Sequence, residues 1–434
     1  MNSTSHHSCD VLVIGAGPGG STISALLAEK GWNVIMLEKE RHPRFHIGES
    51  LLPMNMPLFE KLGVEKEIAA LGVPKLGAEF NSIYHNKSLT YYFSGALDPT
   101  YPSAYQVRRS DFDHALLKNS VKKGVTVHEE TKVVKIDFRA GSETIVTSIN
   151  KQGVEETWQA KFIVDASGRD TFLANILGIK QRNKKHNSAA LFAHFSGVSR
   201  LSGPDEGNIS LYWFDHGWFW IIPLQNGVTS VGAVCWPYYL KSRKSNPEQF
   251  FYDTIALSPG VSERLKNAKL ISPVTATGNY SYESKNMVGE GYLMVGDAFA
   301  FIDPVFSSGV YLAMNSAFMG AQTVHTCLTD WAHAPTALSQ YDKTIRQGLR
   351  TFSWFIYRVT TPAMRHLLLN PRNYFDVQRA MTSLLAGDIF SNTSVRPRLL
   401  LFKLIYYSTM LSMPLQSMHA YRQRAKNVKP VHAA

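Results

Sequence analysis

Cysteine is scarce in this chain. Cys9, Cys235 and Cys327 are odd in number, widely spaced, and form no CxxC pair. That argues against a zinc site or a disulfide framework, and a reducing, cytoplasmic compartment is expected, with no metal bound. Long apolar runs are also missing. The richest late segment, Leu399–Leu415, carries Lys403 and is broken by Pro414, so no membrane span is expected. An amphipathic helix packed on the body, or lying on a surface, suits it better. The start, Met1 to Asp10, is polar and has no signal-peptide core. Internal repeats and low-complexity tracts are absent. Acidic residues fall short of basic ones, 34 against 45, leaving a net charge of +11. Such an excess suits an anionic cofactor or an acidic protein partner. Nucleic acid is not expected, because there is no dense Lys/Arg run and no nucleic-acid fold signature. What remains, 44% hydrophobic and 18% charged residues over 434 positions, is the composition of a globular enzyme with a substantial core.

The most informative stretch is Val11-Leu-Val-Ile-Gly15-Ala16-Gly17-Pro-Gly-Gly20. Asp10–Ile14 reads as a buried parallel strand, Ser21–Lys30 as a helix, and Trp32–Glu38 as a second strand. The spacing of Gly15, Gly17 and Gly20 suits a tight strand-to-helix turn whose N–H groups approach a pyrophosphate. Glu38, ending the second strand, is placed to accept hydrogen bonds from a ribose. These features alone do not separate NAD from FAD. Further on, Arg108–Phe112 opens a helix with Ser110 as its expected cap. Val125–Asn150 reads as strands, and Phe162–Asp165 as a buried strand. Alternating β-branched and aromatic residues from about Ala189 to Val234 suggest an antiparallel sheet, with turns at Asp215–Gly217 and Gln225–Gly227. Gly291–Gly296 is another strand, a helix starts at Gly309, and the chain turns helical after about His333.

Several segments sharpen this reading. Val164-Asp-Ala-Ser-Gly-Arg169, Met294-Val-Gly-Asp297-Ala298 and Gln106-Val-Arg-Arg109 resemble, in order, fingerprints of FAD-dependent aromatic hydroxylases and their relatives. Trp218-Phe-Trp220-Ile-Ile222-Pro223 resembles the WxWxIP signature of flavin-dependent halogenases. Phe301-Ile-Asp-Pro304-Val-Phe-Ser307-Ser308-Gly309 resembles that family's FxxPxxSxG pattern, and Gly48-Glu49-Ser50-Leu-Leu-Pro53 its GESLLP segment. Pro74-Lys75-Leu76-Gly77 resembles the KxG context of the family's essential lysine. Later stretches, Pro362–Arg365 and Ser383–Asp388, look more like phenol or carrier-bound pyrrole halogenases than tryptophan halogenases.

The resemblance implies an α/β fold. A Rossmann-like FAD-binding region of aromatic hydroxylase type interleaves with an antiparallel β-sheet substrate region over residues 1–332, the sheet insert lying at roughly 185–280. A helical C-terminal section follows over 333–434. FAD contacts are expected at Gly15, Ala16, Gly17, Gly20, Glu38, Glu49, Ser50, Arg109, Asp297, Pro304, Gly309 and Val310, and a halide at Ser308 and Gly309. Reduced FAD from a separate flavin reductase, with O₂ and chloride or bromide, would yield hypohalous acid. This would pass along a tunnel walled by Trp218, Trp220, Ile222 and Pro223 to Lys75, for electrophilic halogenation of an electron-rich ring. Paired indoles fill volume rigidly and proline fixes the local backbone, which is what a barrier between ring and flavin needs. The ring, a pyrrole or a phenol, is either free or borne on an acyl or peptidyl carrier protein. Three alternatives stay open here: an FAD-dependent aromatic monooxygenase, an FAD reductase of isoprenoid double bonds, and a non-enzymatic carrier-binding flavoprotein.

Overall fold

Val11-Leu-Val-Ile14 is apolar on both faces, as a strand buried between two layers must be. In the computed structural model, which describes residues 6–139, 143–183, 186–278, 281–390 and 394–428, it lies at the centre of a sheet whose core strands run parallel. Residues 1–5 of the polar start lie outside the described residues. Strand His6–Ile14 pairs in parallel with Glu155–Asp165 on one side and Val34–Leu37 on the other. Tyr292–Met294 and Thr126–His128 extend the layer outward, again in parallel. An antiparallel pair, Thr131–Asp137 with Thr144–Asn150, joins it through Glu155–Asp165. The helix after the glycine loop runs Pro18–Glu29, beginning earlier than its sequence pattern suggests because Pro18 suits a first helical position.

A second sheet carries the aromatic wall. Its order is Lys269–Leu270, Ala189–Ser196, Val228–Cys235, Gly217–Pro223, Ile209–Phe214, Gly77–Ser82, Lys87–Tyr92. Two of these strands come from well before residue 185, and one pairing, Ile209–Phe214 with Gly77–Ser82, is parallel. The sheet is therefore mixed and is assembled from distant parts of the chain. Side chains alternate across it. Leu211, Trp213, Trp218, Trp220 and Ile222 face the main core. Tyr212, Phe214, Phe219, Ile221 and Cys235 face a smaller core with Phe250, Phe251 and Val261 from helices Pro247–Ala256 and Pro259–Arg264.

The helix at Arg109–Lys122 is preceded by Arg108 in extended conformation, and no side chain caps it. Ser110 lies inside the first turn, two positions beyond the cap, and donates to Asp111. From Gly309 onward the chain is helical: Gly309–Thr329, Ala334–Ile356, Pro362–Leu369, Val377–Ala386, Val395–Ser412 and Pro414–Val428. Among the described residues, no helix is long and apolar enough to cross a membrane. Cys9 and Cys235 are buried and Cys327 is half-buried; none is in a disulfide.

Candidate active site

The glycine loop joins the first strand to the first helix in three residues, and the fold requires glycine at Gly15, where the loop opens, and at Gly20, in the first helical turn. Gly15 has φ +96°, and a Cβ there would meet the Ala166 carbonyl oxygen at 2.6 Å. A Cβ on Gly20 would sit 1.9 Å from the Gly15 carbonyl oxygen. Gly17 is different: its Cβ would approach only Arg44 Nη2, at 3.8 Å, so its backbone lies open to a ligand. Glu38 is buried and ties the loop to the second strand. Its Oε2 accepts the Ala16 N–H at 2.7 Å and its Oε1 the Glu40 N–H at 2.9 Å.

This loop opens on a cavity of about 1010 Å³. Arg44, Arg109 and Arg169 contribute to its wall. Arg109 grips the buried Asp113 with Nε and Nη2, at 2.7 and 2.9 Å, and donates Nη1 to the Ile47 carbonyl. Arg169 donates to Thr277 Oγ1 and to the Gly278 carbonyl. Burial pushes the Asp297 carboxyl up to about 6, against the pull of Arg169 and Arg109. Burial, with Arg109 beside it, drives His46 down to about 4. A helix N-terminus, an open backbone at Gly17 and three guanidinium groups around one elongated volume suit an anionic dinucleotide. The residues present fit FAD, with Gly15, Gly17, Glu38, Arg109 and Asp297 best placed to hold it.

Trp218, Trp220 and Ile222 point into this cavity from strand Gly217–Pro223. The two indoles are tilted at 50° with centroids 5.9 Å apart. Trp220 donates Nε1 to Ser230 Oγ at 3.2 Å. Pro223 ends the strand outside the cavity wall. Pro304, Ser307, Gly309 and Val310 also line the cavity. Ser307 is left-handed, with φ +57°, and Ser308 returns to the right-handed region just before helix Gly309–Thr329. That left-to-right sequence at a helix start turns successive N–H groups toward one point, a nest for an anion. Asp303 braces the turn: Oδ1 accepts the Val305 N–H, while Oδ2 meets Ser188 Oγ at 2.7 Å and His186 Nε2 at 2.9 Å.

Lys75 is 1% exposed and ends strand Gly72–Lys75. Its Nζ donates to Ser50 Oγ and to the Leu51 carbonyl, each at 2.9 Å, and lies 5.2 Å from the centroid of the Phe93 ring. Burial alone brings its pKa down to about 7. Asn208 Oδ1 accepts the N–H groups of Leu76 and Gly77, at 2.9 and 2.7 Å, fixing the backbone beyond the lysine. Glu49, next to Ser50, is buried and shares both carboxylate oxygens with His194 Nε2, at 2.9 and 3.1 Å.

One cavity thus gathers Gly15, Gly17, Glu38, Glu49, Ser50, Arg109, Trp218, Trp220, Ile222, Asp297, Pro304, Gly309 and Val310. Ala16 and Gly20 lie buried beneath the loop, and Ser308 is buried while its neighbour Ser307 reaches the wall. Lys75 stands one residue behind that wall, reached through Ser50. Sequence reasoning did not single out Arg44, His194 or the His186–Asp303 pair. Arg44 stands in the Arg41–Arg44 run just before Gly48-Glu49-Ser50, a readable signal; His194 has only its alternating strand position, and no local motif marks it.

The FAD binding domain family matches residues 8–350. The 1H-pyrrole-2-carbonyl-[peptidyl-carrier protein] chlorinase of Pseudomonas fluorescens is 30% identical over 415 residues, covering 89% of this chain and 91% of that protein. The corresponding brominase of Pseudoalteromonas luteoviolacea is 32% identical over 373 residues, covering 82% and 90%. Among solved structures, the myxobacterial chondrochloren halogenase superposes with a TM-score of 0.78 at 30% identity, covering 98% of each chain.

Proposed function

The chain belongs to the FAD binding domain family and, within it, to the flavin-dependent halogenases, and from that premise we propose that Lys75 delivers the halogen to an electron-rich ring borne on a carrier protein. The observation that carries this reading is the buried Lys75 amine, held by Ser50 and Leu51 just behind a cavity walled by Trp218 and Trp220.

FAD bound in its reduced form supplies the two electrons with which O₂ oxidises a halide to hypohalous acid, the second oxygen atom leaving as water. Gly15, Gly17, Glu38, Arg109 and Asp297 hold that cofactor. The turn at Ser307–Gly309 holds the halide on backbone N–H groups. Trp218 and Trp220 fill the wall so that an organic ring does not share the cavity while a small oxidant passes. At Lys75 a substantial fraction of the amine is neutral at physiological pH, because burial disfavours the ammonium. The neutral amine attacks the halogen of hypohalous acid, forming N–X and releasing water. A pyrrole or phenol then takes the halogen from nitrogen, loses its ring proton, and the amine returns. Fixing the ring beside Nζ sets the position substituted.

Support for a carrier-borne pyrrole comes from the two pyrrole-carbonyl carrier relatives, and the net charge of +11 suits an acidic carrier. A separate reductase would provide the reduced flavin. The test is intact-mass analysis with FAD, a flavin reductase, NADH and chloride or bromide, offering carrier-bound pyrrole and free phenols side by side. Halogen-for-hydrogen exchange on the carrier-bound ring, lost in Lys75→Ala while FAD stays bound, is the expected result. Oxygen gained without halogen would overturn it.

A further inference from the structure

Helix Val395–Ser412 carries apolar residues on two opposite faces. Val395, Leu399, Phe402 and Tyr406, spaced at the helical period, pack into the body. The opposite face presents Leu400, Leu404, Tyr407 and Leu411, exposed by 60, 68, 41 and 75%. Helix Pro414–Val428 prolongs the stripe with Leu415 at 76% and Tyr421 at 74%. Near the start of the stripe stand Tyr374 and Phe375, the latter 81% exposed. Asp376, beside them, is 3.6 Å from Arg398 and fixes these rings next to the helix. Single exposed apolar residues need no explanation, but a periodic stripe across two helices does. A surface helix normally turns its polar side to water, so a second apolar face left exposed calls for a cover.

Charge indicates the cover. From Ile389 to Ala434 the sequence has seven Lys or Arg residues and neither Asp nor Glu. Arg396 and Arg422 are exposed. A second copy docking by two-fold symmetry would set this cationic surface against itself. Protruding leucines and tyrosines ask a protein partner for a matching groove, whereas a fluid surface yields to them. Exposed Leu, Phe and Tyr beside Lys and Arg is the pattern of helices that lie in a bilayer's headgroup layer without crossing it.

We propose that the outer face of these two helices seats the enzyme on an anionic lipid bilayer. Leu400, Leu404, Leu411 and Leu415 enter the headgroup boundary, and Arg396 and Arg422 meet lipid phosphates. This goes beyond the halogenation chemistry and does not depend on it.

The experiment is flotation of the full-length FAD-loaded protein with vesicles of phosphatidylcholine alone or mixed with phosphatidylglycerol. Binding to the mixed vesicles is expected to exceed that to neutral ones by about tenfold or more, and to weaken as salt is raised. A Leu404→Glu/Leu411→Glu variant is expected to lose flotation while keeping its melting temperature and its bound FAD. Flotation unchanged in that variant, or absent with anionic vesicles, would overturn the proposal. So would a dimer in light scattering that the variant splits, which would assign the face to a second copy. An acidic carrier protein bound through this face, with vesicles ignored, would overturn it equally.

Discussion

Trp220 lies flat over Gly232. The two are directly paired on neighbouring strands, and a Cβ on Gly232 would meet the indole Cζ2 at 2.1 Å. The indole thus occupies space that any other residue type at position 232 would claim. Gly232→Val is expected to push Trp220 out of the wall and lower stability by about 1–3 kcal/mol, the usual cost of overpacking. Thermal melting reads the stability. A soluble phenol scavenger added during turnover reads the wall, and it should capture more oxidant from the variant than from the parent.

Lys75 makes both stability and rate depend on pH in a predictable direction. Its pKa falls from the ordinary lysine value near 10.5 to about 7 on folding. Between those values the unfolded chain holds the extra proton, so stability rises as pH rises from about 7 toward 10.5. Lys75→Met is expected to flatten that dependence and to stabilise the protein near neutrality by about 1–3 kcal/mol. Denaturant titrations across the range check the sign. Halogen transfer in single turnover should increase through about pH 7 as the neutral amine gains population. A decrease instead would assign the ammonium as a hydrogen-bond donor to hypohalous acid.

Two loop glycines should respond differently to the same change. Gly20→Ala drives a methyl into the Gly15 carbonyl and is expected to cost about 2 kcal/mol or more, with loss of FAD. Gly17→Ala has room in the fold, so its melting temperature should hold within the range of a surface change, roughly 0.5 kcal/mol. It should nevertheless retain less flavin after desalting, because the new methyl stands where the cofactor backbone approaches. Flavin absorbance and a thermal melt on both variants separate fold from binding.

Ser307 holds a left-handed conformation beside the anion nest. Ser307→Gly is expected to be neutral or to stabilise by about 1 kcal/mol, since glycine adopts that conformation freely. Ser307→Val should strain the turn by about 1–3 kcal/mol. It should also raise the halide KM about tenfold by disturbing the N–H directions. Steady-state kinetics against chloride and bromide measure this.

The parts of the site carried by contiguous residues were legible in the sequence. The glycine loop was legible from its spacing, whereas the tryptophan wall and the turn before Gly309 were legible through their resemblance to family motifs. Connections between distant residues were not. Lys75 meets Ser50 across 25 positions and His194 meets Glu49 across 145, and no period or motif reports such a pairing. The wall sheet shows the same limit. Its alternation is visible from Ala189 onward, yet its recruitment of Gly77–Ser82 in parallel depends on tertiary packing. Ser110 looked like a cap because its residue type favours caps, but the backbone of Arg108 takes that position.

An enzyme that handles hypohalous acid must survive its own product. Cys235 is paired with Gly217 at the very start of the tryptophan strand, yet its thiol lies in the second core, on the sheet face away from the indoles. Burial raises that thiol, Cys9 to about 12 and Cys327 to about 11, so all three sulfurs stay protonated and poorly nucleophilic. Among the described residues, neither cysteine nor methionine lines the cofactor cavity. The sheet therefore separates as well as scaffolds: it turns the indoles toward the oxidant and keeps the soft sulfur of Cys235 on its other face, so protection of that thiol becomes a property of which way a strand residue points.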